Sequence, residues 1–160
     1  MNCIIKSGRK WGKVGGFMFI GEYTHSLDSK SRLTIPAKFR SELGELPIVT
    51  KGLDGCLFLF PTDEWENIVE KLKNLPLGKP EVRAFTRYFL SAAAEAEVDK
   101  QGRIVVPTNL KEHAGIEKET VVVGVSSRIE IWEPLKWQEY MQSYSSSITE
   151  IAEKLVDLGI

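Results

Sequence analysis

Two stretches of this chain set an aspartate four residues ahead of an arginine: Asp28-Ser29-Lys30-Ser31-Arg32 and Asp99-Lys100-Gln101-Gly102-Arg103. A carboxylate and a guanidinium at that separation reach one another across a tight turn. As an exposed ion pair they stabilise the fold by only ~0–1 kcal/mol, but the pairing orients the arginine. An oriented guanidinium is a planar fork of donors that suits a phosphate or the edge of guanine in the major groove, which admits a two-stranded ribbon. Arg32 and Arg103 are therefore candidate nucleic-acid contacts, with Asp28 and Asp99 as their orienting partners. Lys30, Ser31, Lys38 and Arg40 surround Arg32 in sequence, whereas Lys100 and Lys111 stand near Arg103 amid Glu95, Glu97, Asp99 and Glu112. The first motif is expected to offer the better face for DNA.

Little else in the chain competes for chemistry. There is no nucleophile with a base and an orienting group, no glycine-rich phosphate loop followed by lysine and serine or threonine, and no metal-ligand spacing. His25 and His113 stand far apart, and Ser145-Ser146-Ser147 reads as a polar lead into a final helix. Cys3 and Cys56 form no disulfide or zinc framework, and Cys56, in the apolar run Cys56 to Phe60, reads as a buried strand thiol. The expectation is a protein that is not an enzyme, with no catalytic residue, metal, cofactor or small-molecule substrate.

Composition constrains the mode of binding. The chain has 160 residues, 42% hydrophobic and 27% charged, within the ordinary globular range. Its 21 basic and 22 acidic residues leave a net charge of −1, so it cannot coat nucleic acid by bulk positive charge and needs a local patch or repeated subunits. Residues 1–16 carry Lys6, Arg9, Lys10 and Lys13 and no acid; without them 17 basic residues face 22 acidic ones, a charge of −5. No apolar run approaches the ~18–20 residues of a membrane span, and the N-terminus lacks a secretory pattern. The expected location is the cytoplasm, with no membrane association.

The elements that must position the two motifs follow from an internal repeat. Leu27 to Pro36 and Val98 to Pro107 share one pattern 71 residues apart: apolar, Asp, three polar or small residues, Arg, and then apolar positions leading to Pro. Phe39 matches Leu110, Arg40 matches Lys111 and Gly44 matches Gly115; after a one-residue shift Leu57, Phe60 and Trp65 match Ile129, Trp132 and Trp137. Each copy reads as strand, turn, strand, short helix, two strands and a helix. In the first copy the strands are Tyr23 to Leu27, Leu33 to Ile35, Leu46 to Thr50 and Cys56 to Phe60, and Asp28 to Ser31 forms a hairpin-like connection. Pro36 and Gly44 bracket a two-turn helix, and Thr62 opens the next. The second copy adds strands at Thr120 to Gly124 and Arg128 to Trp132 and a helix from Pro134.

Pro76 to Pro80 reads as a linker, and Val82, Phe85, Tyr88 and Phe89 recur at helical spacing behind it. Ile148, Ile151, Ala152, Leu155 and Val156 form a last apolar stripe, expected to pack on its own domain. Elements alternate too quickly for parallel crossovers, so antiparallel pairing is expected. Each copy has only ~50 residues, too few for a sizeable core, so the copies should share one as an internal pseudo-dimer. Residues 1–17 stand outside the repeat and read as a disordered tail, an upstream start or a cloning remnant.

The paired motifs, together with Met18-Phe19-Ile20-Gly21-Glu22-Tyr23, Ile35-Pro36-Ala37-Lys38-Phe39-Arg40, Gly52-Leu53-Asp54-Gly55-Cys56-Leu57 and Asp99 to Ile104, resemble the bacterial MraZ family over residues 18–160. The resemblance implies a mainly β fold with short α (α+β): two tandem SpoVT/AbrB-like swapped-hairpin modules, plus a C-terminal helix. On this reading 1–17 is an extension, 22–64 the first module, 65–92 a helix and linker, 93–136 the second module and 137–160 the C-terminal helical region. It further implies a homo-oligomeric ring and a nucleoid-associated transcriptional regulator of its own division and cell-wall gene cluster, bound to double-stranded promoter repeats. Arg32 carries over as a DNA contact, and Ser31 departs from the glycine usual at its position, which leaves the turn type open. The rival expectation is a protein-interaction or antitoxin-like module of the same fold.

Overall fold

The computed structural model describes residues 18–159. Expectations about residues 1–17, their charge and Cys3 included, lie outside the described residues.

The first half runs β1 (Phe19–Ser26), β2 (Arg32–Thr34), α1 (Ala37–Leu43), β3 (Ile48–Lys51), β4 (Leu57–Phe60), α2 (Thr62–Lys73) and α3 (Pro80–Ser91). The second runs β5 (Ala94–Glu95), β6 (Arg103–Val105), α4 (Thr108–Ala114), β7 (Glu119–Ser126), β8 (Arg128–Trp132), α5 (Pro134–Ser145) and α6 (Ile148–Val156). Pro36 and Pro107 stand immediately before α1 and α4 with φ of −50° and −57°, the value their rings impose, and so aim the chain into each helix. Gly44 and Gly115 end the same two helices at φ of 78° and 68°, where a side chain would be strained.

All strand pairs are antiparallel. The main sheet has the order β1-β7-β8-β4-β3-β5, and β2 and β6 form a separate two-stranded ribbon. Replacing each strand by its repeat counterpart reverses the main order onto itself, so the two halves are related by an approximate two-fold axis. That axis passes where counterparts meet: Leu33 lies opposite Ile104 in the ribbon, and Phe58 opposite Glu130 in the sheet.

The expected hairpin at Asp28 to Ser31 is a turn without a local hairpin. β1 pairs with β7 and β2 with β6, so the strands on either side of the turn join different sheets, each pairing with a strand of the other half. Across the exchanged pair Leu33 and Ile104 stand opposite one another, and both are fully buried. β1 also begins earlier than expected, at Phe19, because it follows the whole of β7. Gly124 permits that approach, since a Cβ there would run into the backbone of Phe19 and Ile20.

Both faces of the main sheet are covered. Leu57, Leu59, Val122, Ile129 and Ile131 pack with Leu33, Ile104 and the α1 and α4 residues Phe39, Leu43, Leu110 and Ala114. Phe58, Phe60, Val121, Val123 and Trp132 face the other way, under Trp65, Ile68 and Leu72 of α2, Phe89 of α3, and Trp137 and Tyr140 of α5. Both halves supply both layers, so neither has a complete core alone. Cys56 is buried, as its apolar run suggested.

Helices are more prominent than expected. α2, α3 and α5 have 12 residues each, longer than the longest strands of 8, and the architecture is mixed α+β. The helix expected from Pro134 is α5 and the last apolar stripe lies on α6. The α6 stripe is only partly covered: Ile151 and Leu155 are half-buried, whereas Ile148, Val156 and nearby Leu158 are 57%, 64% and 76% exposed.

Candidate nucleic-acid interface

The two Asp–Arg motifs build the same turn. Asp28 N–H donates to Arg32 O (3.0 Å) and Ser31 N–H to Asp28 O (3.0 Å); Asp99 and Gly102 make the matching bonds at 2.9 Å each. Each aspartate then acts three times as a side-chain acceptor. Asp28 Oδ1 receives the amides of Lys30 and Arg32, and Oδ2 receives Arg32 Nε at 2.6 Å. Asp99 receives Gln101, Arg103 and Arg103 Nε, the last at 2.8 Å. A carboxylate surrounded by donors resists protonation. The Arg32 amide first, and then the Arg32 side chain and Lys30 amide, hold Asp28 down at about 2, and Asp99 is lowered for the same reasons by Arg103 and Gln101.

The turn at Ser31 is thereby settled: its φ of 60° is the left-handed conformation that Gly102 takes at 77°. Serine there carries the strain that glycine avoids.

Each turn is clasped by the opposite half. Ser31 O accepts the Val106 amide (2.9 Å), and Gly102 O accepts the Ile35 amide (2.8 Å). Lys111 Nζ donates to Ser31 Oγ at 2.7 Å. In the equivalent place Arg40 donates from Nε to Ile35 O (2.9 Å) and lies against Gly102, where a Cβ would run into its guanidinium. Arg40 and Lys111 are repeat counterparts, as are Ser31 and Gly102. The longer, planar cation therefore faces the glycine and the slimmer one the serine.

The two motifs share one ribbon. Arg32 stands opposite Val105 and Thr34 opposite Arg103, while Leu33 and Ile104 point into the core. Alternation puts Arg32, Thr34, Arg103 and Val105 on the outer face, with Val105 55% exposed. Arg103 Nη1 also comes to 3.9 Å from Asp28 Oδ2, tying the two turns electrostatically. Arg32 uses Nε on Asp28, and its two terminal amino groups have no protein partner among the described residues. Lys30 and Lys100 are exposed at the two turns, and Lys38 is exposed on α1. The structure thus joins Arg32, Arg103, Lys30, Lys100, Ser31 and both aspartates, engages Arg40 in the clasp, and gives no separate face to the first motif. Sequence reasoning missed the clasp by Arg40 and Lys111 and the outward Val105.

Among the described residues no group of three or more His, Cys, Asp and Glu side chains is placed to hold a metal, and no helix is long and apolar enough to cross a membrane. The arrangement offers oriented cations on a ribbon, which is binding chemistry.

A family model described as "MraZ protein, putative antitoxin-like" matches this chain twice, over residues 18–88 and 89–159. The chain belongs to the MraZ family. Its transcriptional regulator relatives include MraZ of Syntrophomonas wolfei subsp. wolfei, 55% identical, and of Caldanaerobacter subterraneus subsp. tengcongensis, 57% identical, each over 143 residues. MraZ of Heliobacterium modesticaldum is 51% identical over the same length. All three alignments cover 89% of this chain and 100% of the relative. The family is one of transcriptional regulators, not enzymes, and its two matched units are the two halves whose strands interleave here.

Proposed function

We propose that this MraZ-family chain is a sequence-specific regulator that lays the β2–β6 ribbon into the major groove of repeats upstream of its own division and cell-wall gene cluster. The observation that carries the reading is the ribbon's outer face: two arginines, each held by an aspartate, on strands related by the pseudo-two-fold axis. Arg32 and Arg103 contact bases or phosphate, Lys30, Lys100 and Lys38 add phosphate contacts, and Ser31 and Arg40 keep the turns in place. The exchange of β2 and β6 supports a SpoVT/AbrB-like assignment, with modules at 22–64 and 93–136, a connecting segment at 65–92 and a helical region at 137–160.

With a net charge of −1 a single ribbon binds weakly, and a ring would multiply the contacts on tandem sites. Exposed Ile148, Val156 and Leu158 on and beside α6, with Leu135, Met141 and Tyr144 of α5, supply apolar surface for such assembly. Residence in the cytoplasm at the nucleoid follows from this reading. The test is binding of the purified protein to DNA from upstream of its own gene against shuffled DNA, across a salt series, with oligomer mass recorded in parallel. Specific, salt-sensitive binding by a large assembly is expected. Equal binding to both DNAs, or none, would replace this reading with a protein partner held by the same fold.

A further inference from the structure

Glu42, on α1, is 9% exposed and sits at the start of β1. Its Oε2 accepts the Met18 backbone N–H at 3.0 Å, while its Oε1 is buried without a hydrogen-bond partner among the described residues. A buried carboxylate with one neutral donor is poorly compensated, because the charge and the second oxygen are both left unmatched. A backbone amide cannot improve on this, having one N–H and no charge. A free α-ammonium at the same nitrogen brings three N–H donors and a positive charge, enough for both oxygens.

The repeat supplies an internal comparison. Seventy-one residues beyond Glu42 stands His113, whose Nε2 lies 3.4 Å from the Tyr88 hydroxyl. In that half the chain is continuous from α3 into β5, and no chain end is possible. The carboxylate occurs only in the half where β1 has nothing of the repeat before it, and the first family match starts at residue 18.

We propose that Glu42 is a receptor for a free α-amino group at residue 18: in a chain starting at Met18, the ammonium pairs with both Glu42 oxygens and pins the outer end of β1. The 143-residue alignments span the whole of the relatives and the first family match starts at residue 18, so a chain of residues 18–160 corresponds to their full length and is the one to test.

The experiment compares the 160-residue chain with the 18–160 chain, each with Glu42 and with Glu42→Gln. Shortening is expected to raise Tm by about 5 °C with Glu42 and to leave it unchanged with glutamine. Titration of the isotopically labelled amine of the 18–160 chain should give a pKa above the usual ~7.7–8.0, returning to that range in Glu42→Gln. An amine that titrates in the usual range in the unmutated 18–160 chain overturns the inference, as does an equal Tm change in both backgrounds. Should Glu42→Gln fail to fold, the titration of the unmutated chain decides alone.

Discussion

Replacing Gly102 by alanine tests how the turns are held. Two costs add. Gly102 has φ of 77°, and an L side chain in the left-handed region costs ~1–2 kcal/mol. The new Cβ would also strike Arg40 Cζ and Nε, so the guanidinium must leave and its bond to Ile35 O is lost, a further ~1 kcal/mol. The expected total is ~2–3 kcal/mol, or a Tm lowered by ~5–10 °C for a chain of this size. Arg40→Ala alone should cost ~1 kcal/mol. In the Arg40→Ala background Gly102→Ala should cost only the backbone part, so urea unfolding of the four proteins should give a coupling of ~1 kcal/mol. Ser31→Gly should differ by less than ~1 kcal/mol from the parent, because relief at φ 60° offsets loss of the Lys111 bond. An identical cost of Gly102→Ala with and without Arg40 would refute the clasp.

Three other outcomes follow from buried or perturbed groups. Asp28 and Asp99 have lowered pKa values when folded, so the unfolded chain binds more protons in acid; their contribution is present above about pH 4 and falls away below it, that of Asp28 as pH approaches about 2. The urea-midpoint gap between parent and an Asp28→Asn, Asp99→Asn double variant should therefore narrow from pH 5 to pH 2. Glu130 is buried and accepts from Arg128 (3.0 Å) and Trp132 Nε1 (3.0 Å), so Glu130→Ala should cost about 3 kcal/mol in the same assay. Burial pushes the Cys56 thiol far up, so alkylation should be undetectable in the native protein and rapid in urea.

The repeat was legible because proline, glycine and tryptophan landmarks keep their order, and its offset fixed which residues meet on the pseudo-axis once pairing was known. The pairing itself was not legible in the residues of the turn, and exchange between the halves was expected only from the family resemblance. The bonds within Asp28 to Arg32 are those a local hairpin would make, and nothing in that segment says whether the next strand returns or crosses to the other half. Nor does it show that Arg40 serves the Gly102 turn, since the contact spans two halves. Glu130 was missed because Arg128-Ile129-Glu130-Ile131-Trp132 reads as alternation with a wet side, whereas α2, α3 and α5 roof the sheet on that side. The α6 stripe was read correctly as helical but gave no clue to what it packs on. The Asp–Arg motif fared best: its geometry is local, and chemistry at four-residue spacing fixed it.

The measurement closest to the central claim is affinity for upstream DNA, over a salt series, of folded Arg32→Ala and Arg103→Ala proteins beside the parent. The account predicts that each variant weakens specific binding by ~1–3 kcal/mol while keeping the parent's assembly and thermal stability to within the small value of an exposed ion pair. Unchanged affinity in both variants would contradict it, because the ribbon's outer face would then not be where DNA is read.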